Sequence, residues 1–553
     1  MAARRLTTVL VLAGALAMVA GSFVAHRIQT DAGDILVRDL RFTGASGHAL
    51  SALLYLPAGA SATRPVPGIL AVHGYINSRE TQSAFAIELA RRGHAVLALD
   101  QTGHGFSAPP AFSDGFGGPD GLAFLRSLPM VDADNIGLEG HSMGGWAVLA
   151  AAAAHPDGYR ALALVGSGPG LFGAPDADRH FPRNLAVIFS AYDEFSALMW
   201  QVPTGSAITG SARLAEIFGT TTPVVPGVLH GDPADGSARL LRVPPVTHPG
   251  DHLSPQVTAE VADWFARTLD GGDGLPADDQ LWVGKETATA LALLGLLLFL
   301  PAAAVLGVRA STGTSAGSTA RWRFLPAALV PVLSYFPCFL LADVLLPPGG
   351  IWPQPISNGL MLWLLVNSAA NLAFAWRHRS ALLPTREDLT AVLRVLAALG
   401  LAYALLVAVH AAWAVDWRLW VVAATPLAPW HWASLVAYAP VLLLGFAGIG
   451  VALHLGLGHD GRRPLAMALR NIALLAGPFA VLLAIQYGTL FAGAPLPLGQ
   501  PLLTIVAIQF LPVLVFVAAA STALFHVWRR VWAGAVLNAG LVGWLVIAGT
   551  ATT

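Results

Sequence analysis

Gly140-His141-Ser142-Met143-Gly144-Gly145 stands between a short apolar run, Ile136 to Glu139, and the alanine-rich stretch Gly144 to Ala154. A G-x-S-x-G set between a strand and a helix forms a nucleophile elbow, because small flanking residues permit the sharp turn that lifts a serine oxygen clear of a sheet. The pentapeptide alone recurs by chance, so it is the setting that makes Ser142 the expected nucleophile. Outward from it, Val66 to Val72, Ala95 to Leu99, Ala161 to Val165 and Leu185 to Phe189 are further short apolar runs, with helical stretches such as Thr81 to Arg92 between them. This alternation predicts an α/β fold with a doubly wound, mostly parallel sheet covered on both faces. Functional groups should gather at the carboxyl ends of its strands.

Two more turns follow predicted strands: His73-Gly74-Tyr75, and Asp100-Gln101-Thr102-Gly103-His104-Gly105-Phe106-Ser107. With the elbow they make residues 35–270 resemble the α/β-hydrolase superfamily, through its H-G-x and D-x-x-G-H-G-x-S turns. The resemblance implies an oxyanion hole built from the backbone N–H groups of Tyr75 and Met143, two donors aimed at the charge of a tetrahedral intermediate. It implies loop geometry, not chemistry, for Asp100 and His104. The acid should follow a later strand, since this fold orders its triad Ser, acid, His. Leu185 to Tyr192 runs into Asp193, with Glu194 as the alternative.

Val246 to Pro255 offers two histidines, His248 and His252. Ser254 and Pro255 read as the N-cap and first position of a helix running through Trp264. His248 has the family's spacing before that proline and lies nearer the strand Arg239 to Val243, so it is the expected base, with His252 as the fallback. His252 would then line the entrance or cap the helix. The stretch Leu40 to Leu50, continued through Leu56-Pro57, also resembles the opening strand pair of dienelactone-hydrolase-like and prolyl-peptidase-like members. Two departures qualify the resemblance. Only residues 169–183 separate Gly168 from Asn184, where a large lid is usual, whereas Glu194 to Phe218 reads as a helix-like insertion that walls the acyl pocket. Phe195, Met199 and Trp200 are its candidate lining residues.

These groups support two-step acyl transfer: attack by Ser142, general-base assistance from His248, orientation by Asp193, and release of the acyl group by water. A serine at the elbow argues against the dehalogenase and epoxide hydrolase chemistry for which this fold would use an aspartate. A carboxylic ester is the first expectation, and a peptide or amide bond the second. No histidine, cysteine or carboxylate set has metal-ligand spacing, so no metal or cofactor is expected. The lone Cys338 permits no intrachain disulfide.

The remainder of the 553 residues reads differently. Overall 55% of residues are hydrophobic and only 11% charged, and the charges crowd into the first 280 positions. The net charge of −1 argues against nucleic acid as a partner, because phosphate neutralisation needs clustered basic residues. Leu6 to Ala25, directly behind Arg4 and Arg5, has the length of a membrane span. An uncleaved signal anchor over residues 1–28 is favoured over a cleaved signal peptide. After a linker at 271–286, eight further apolar stretches fill 287–553, near 287–308, 324–346, 357–376, 391–414, 432–456, 466–492, 501–525 and 533–550.

A cytoplasmic N-terminus would place Arg309, Arg321, Arg323, Arg377, Arg379, Arg386, Arg462, Arg463, Arg529 and Arg530 in cytoplasmic loops, leaving only Arg418 in the opposite loops between spans. That asymmetry predicts a multi-pass plasma-membrane protein with an exoplasmic hydrolase. Asp343, Arg394 and Arg470 lie near span ends, where side chains reach the interface. His410, His454, Asn367 and Asn371 are expected to bond between helices. No repeat or matched pair of broken helices supports a transporter. The rival from another class is a ligand-binding ectodomain on a sensor or transporter bundle, which would not need nucleophile, base and acid together. The expected partners are the bilayer and a small acyl, lipid or peptide substrate.

Overall fold

The computed structural model describes residues 2–221, 223–272, 274–309, 324–374, 376, 382–457 and 463–553. Arg321, Arg323, Arg377, Arg379 and Arg462 lie outside the described residues. The chain divides into two compact units. One holds Val24–Thr287 together with Tyr487–Pro501 and Gly549–Thr553, and the other holds Met1–Phe23, Ala288–Gln486 and Leu502–Ala548. Boundaries drawn along the sequence follow chain order; the compact units do not.

The first unit is built on nine strands: β1 (Ile35–Thr43), β2 (Ala49–Pro57), β3 (Val66–Val72), β4 (Ala95–Asp100), β5 (Val131–His141), β6 (Ala161–Val165), β7 (Leu185–Ile188), β8 (Leu229–His230) and β9 (Arg239–Arg242). They lie in the order β1-β2-β4-β3-β5-β6-β7-β9-β8. From β4 through β3, β5, β6 and β7 to β9 every pairing is parallel, while β1–β2, β2–β4 and β8–β9 are antiparallel. The parallel strands β3, β6 and β7 are apolar throughout, as burial by helices on each side requires. Ile69 to Val72 and Ala95 to Leu99 are wholly buried, whereas in the edge strand β1 only Ile35 is buried and the rest are half-buried or exposed. This is the mostly parallel, doubly covered α/β sheet that the alternating pattern predicts.

Following the N-terminal helix α1 (Ala2–Gln29), the helices that clothe the sheet are α2 (Ser83–Arg91), α3 (Gly118–Ser127), α4 (Met143–Ala154), the short α5 (Ser196–Trp200) and α6 (Ala212–Ile217), and α7 (Pro255–Thr268). α3 packs with α4, and α2 with α7. Helix α7 starts where the sequence places it: Ser254 Oγ accepts the Val257 N–H with Pro255 in the first turn. Its Phe265 ring fills the space that Gly137 leaves in β5, where a Cβ would come within 2.4 Å of that ring. Burying such a ring contributes about 2–3 kcal/mol.

The helix-like reading of Glu194 to Phe218 is corrected. The stretch breaks into α5, a 3₁₀ segment Gly205–Gly210 and α6. Pro203 removes a backbone donor, and Gln201 ends α5 in the left-handed region at φ 56°. Met199 and Trp200 are core residues, each 1% exposed, and the Trp200 indole donates to the Ser167 carbonyl at 3.1 Å.

The second unit is helical: most of α1, most of α8 (Trp282–Val305), α9 (Phe324–Leu345), α10 (Pro355–Phe374), α11 (Arg386–Trp413), α12 (Pro429–Val451), α13 (Pro464–Leu475), α14 (Gly477–Phe491) as far as Gln486, α15 (Pro501–Trp528) from Leu502 and α16 (Trp532–Ala548). Among the described residues seven helices are long and apolar enough to cross a membrane, or eight if α13 and α14, bent by 43°, form one span. α16 is a shorter apolar helix of 17 residues. Small residues let α1 and α8 approach closely. A Cβ on Gly14 would lie 2.7 Å from the Gly295 carbonyl oxygen, and one on Gly21 would lie 2.6 Å from that of Ala288. His454 shares a 2.8 Å hydrogen bond with Ser521 of α15, and Asn367 donates to Ser334 of α9 at 3.3 Å. Arg394 donates to the Leu306 carbonyl at 2.9 Å, and Arg470 to that of Leu453 at 3.0 Å.

Candidate active site

Ser142 sits between β5 and α4 at φ 56°, ψ −122°. A serine held there costs about 1–3 kcal/mol of backbone strain, so its surroundings must over-determine it. They do so by excluding side chains. A Cβ on Gly140 would lie 2.3 Å from the Gly144 carbonyl oxygen, and one on Gly144 would lie 1.9 Å from that of Val72. The turn is then pinned by hydrogen bonds: Ser142 N–H to the Val165 carbonyl at 2.9 Å, Gly145 N–H to the Ser142 carbonyl at 2.9 Å, and Ser167 Oγ to the same carbonyl at 2.7 Å.

The loop after β3 passes directly beside the serine, since a Cβ on Gly74 would stand 3.0 Å from the Ser142 Cβ. His73 orders that loop. Its Nε2 accepts the Gln101 N–H at 3.1 Å, which leaves the proton on Nδ1 to be donated to the Gly74 carbonyl at 2.7 Å. His104 reaches the Tyr75 carbonyl with Nε2 at 2.6 Å, and burial lowers its pKa to about 4, so the ring is neutral. The Asp100 carboxylate accepts the N–H groups of Arg79 at 2.8 Å and Phe106 at 3.1 Å. Both turn residues therefore serve loop geometry. Met143, 4% exposed, opens α4, and Tyr75 follows Gly74, so the two expected oxyanion donors border the elbow.

Asp193 and His248 meet. Nδ1 of His248 lies 2.9 Å from Oδ2 of Asp193, while Oδ1 of Asp193 accepts the Phe195 N–H at 2.7 Å. With Nδ1 turned to a carboxylate, the proton resides there and Nε2 carries the lone pair. The Phe195 ring lies 4.7 Å from the imidazole. Burial lowers the His248 pKa against the opposing pull of Asp251 and Glu194, which keeps the ring a neutral base. Glu194 takes a different place: its Oε2 accepts the His248 backbone N–H at 2.9 Å. His252 is 3% exposed, with its ring 3.9 Å from that of His141 and 6.1 Å from that of Phe85; the cap of α7 is Ser254.

Beside this pair lies a group that no spacing rule detects. His141 Nε2 is 3.5 Å from Oδ2 of Asp251, and Ser190 Oγ donates to Oδ1 of the same carboxylate. Burial pushes the His141 pKa down and holds the Glu139 carboxyl, two residues earlier on β5, well above its ordinary value. His141, His248 and Asp251 each bring one ligand atom within 4.8 Å of the others, a spacing that a metal ion could use. A metal on His248 would withdraw that imidazole from acid–base work. The sequence signal was the variable residue of the elbow and the acid of Thr247-His248-Pro249-Gly250-Asp251, neither of which announces a contact.

The sheet order and the strained serine define an α/β-hydrolase fold. Residues 67–192, from β3 to just before Asp193, match the family profile described as alpha/beta hydrolase fold. Among solved structures, an esterase of Pyrococcus furiosus is similar at 15% identity, covering 42% of this chain and 93% of its own, with a TM-score of 0.30. A dienelactone hydrolase of Anabaena variabilis is similar at 19% identity, covering 43% and 99%, with a TM-score of 0.30. A dienelactone-hydrolase-like promiscuous phosphotriesterase from metagenomic libraries is similar at 15% identity, covering 43% and 100%, with a TM-score of 0.31. A search of curated proteins finds no match.

Proposed function

We propose that this chain is a membrane-bound serine hydrolase that cleaves a carboxylic ester or related acyl bond through Ser142, His248 and Asp193. The observation that carries the reading is the 2.9 Å pairing of buried Asp193 with His248 on a sheet whose central strand delivers a serine at positive φ. His248 Nε2 takes the Ser142 proton as Oγ attacks the acyl carbon, and Asp193 stabilises the imidazolium that forms. The N–H groups of Tyr75 and Met143 receive the oxyanion, helped by the dipole of α4. The imidazolium returns its proton to the leaving group. Water, activated by the same imidazole, then releases the acyl group and restores Ser142.

The seven long apolar helices support residence in a membrane. The close seat of α1 on α8 favours retention of the N-terminal helix as an anchor. The arginine asymmetry supports a cytoplasmic N-terminus and an exoplasmic hydrolase.

The test is labelling of intact cells with a membrane-impermeant fluorophosphonate, comparing wild type with Ser142→Ala, His248→Ala and His252→Ala. Labelling lost in the first two variants and kept in the third is the expected result. Absence of labelling in folded wild type, even after permeabilisation, would overturn the reading.

A further inference from the structure

Glu194 is a buried carboxyl, 6% exposed, immediately after the acid Asp193 and with no part in proton transfer. Two like charges on adjacent buried residues are costly unless donors hold each one. For Glu194 the donors are the backbone N–H of His248, at 2.9 Å from Oε2, and the phenol of Tyr487, at 2.5 Å from Oε1. Tyr487 opens the segment Tyr487–Pro501, which belongs to the same compact unit as the hydrolase sheet although 293 positions separate it from Glu194. Four residues later on α14, and so on the same helical face, the Phe491 ring stands edge-on to the Tyr192 ring with centroids 5.1 Å apart. The pair Tyr487 and Phe491 therefore grips residues 192–194 at both ends, and that segment bonds to the histidine loop through Tyr192 N–H and the Val246 carbonyl at 3.1 Å.

We infer that Tyr487 is a positioning residue for His248, acting through Glu194, so that the base of the hydrolase is held in register by a residue from the C-terminal half of the chain. The inference rests on the acyl-transfer reading for its catalytic consequence but not for the contact itself. The phenol orients one carboxylate oxygen, and the carboxylate anchors the backbone of the base. Released, the His248 loop can tilt while Asp193 still pairs with the ring, and a small tilt of a general base is expensive in rate. Burial and Asp193 raise the Glu194 pKa to about 7, and His248, Tyr487 and the His248 N–H oppose that rise.

The experiment uses the full chain in detergent micelles. Tyr487→Phe removes only the phenol oxygen, and its melting temperature checks that the fold survives. With p-nitrophenyl butyrate, kcat should fall about tenfold while KM stays within about twofold. Glu194→Ala should fall at least as far, and adding Tyr487→Phe to it should cost nothing more, since both act through one carboxylate. Glu194→Gln should recover most of that loss, because its amide can accept from His248 and donate to the phenol. Hydrogen exchange over residues 246–253 supplies a readout independent of activity and should quicken in Tyr487→Phe. Unchanged exchange together with unchanged kcat in folded Tyr487→Phe would overturn the inference. Wild type inert towards both ester and fluorophosphonate, with exchange still quickened, would leave the positioning contact standing and remove the acyl-transfer reading.

Discussion

The nucleophile and its base are held by opposite means. Ser142 is fixed by what is missing: Gly140, Gly144 and Gly145 leave no room for a side chain, and the turn is pinned by bonds from Val165, from Ser167 and from its own Gly145. His248 is fixed by what is added: Asp193, Glu194 and Phe195 each contribute a contact, and Tyr487 braces one of them from far along the chain. Steric exclusion is written in a few consecutive residues. Side-chain bracing needs the assembled fold. The two halves of the site should therefore fail differently when perturbed.

The largest effect is expected from the chemistry of each half. Ser142→Ala should lower kcat by about a million-fold with the melting temperature retained, as measured by ester turnover and thermal unfolding. Asp193→Asn should cost roughly ten-thousand-fold, because the amide favours the wrong imidazole tautomer. A loss below a hundredfold would show that another carboxyl, Asp251 or Glu194, can serve in its place.

Gly144→Ala separates the two modes of support. Its new methyl would enter the Val72 carbonyl at 1.9 Å, so the elbow must open, and we expect a loss of about 3 kcal/mol in denaturant unfolding along with activity. A variant as stable as wild type would mean that the elbow is not held by exclusion.

The base half carries the pH signature. Burial depresses the His248 pKa below its ordinary 6.5, and only the neutral ring accepts the serine proton. Hence kcat/KM should rise with pH to a plateau already reached by neutral pH, with its acid limb centred below 6.5 and falling about tenfold per unit beneath it. A limb centred above 6.5 would contradict the buried, neutral imidazole. The smallest effect belongs to Ser254→Ala, which removes the cap of α7 and should cost about 1 kcal/mol, a downward shift of a few degrees in the melting temperature.

The elbow, the two glycine turns, the short apolar strands and the start of α7 were all legible, because each depends on residues within a few positions of one another; the strand order was not. Pattern reading went wrong at Glu194 to Phe218, where an apolar rhythm suggested one helix but Pro203 and the left-handed Gln201 cut it into pieces. Choosing His248 over His252 rested on its spacing before Pro255 and its nearness to the preceding strand, whereas the fold brings Asp193 to His248 and sets the His252 ring beside those of His141 and Phe85.

The sequence by itself determined the α/β sheet, the serine at its turning point and the series of apolar helices, since local sterics and the periodicity of burial are properties of short stretches. Tertiary structure decided between the two candidate acids that chain order offered, Asp193 and Glu194, because buried charges are assigned by distance after packing. Only packing put Glu194 on the His248 backbone, Asp251 beside His141 and the Tyr487 phenol on Glu194.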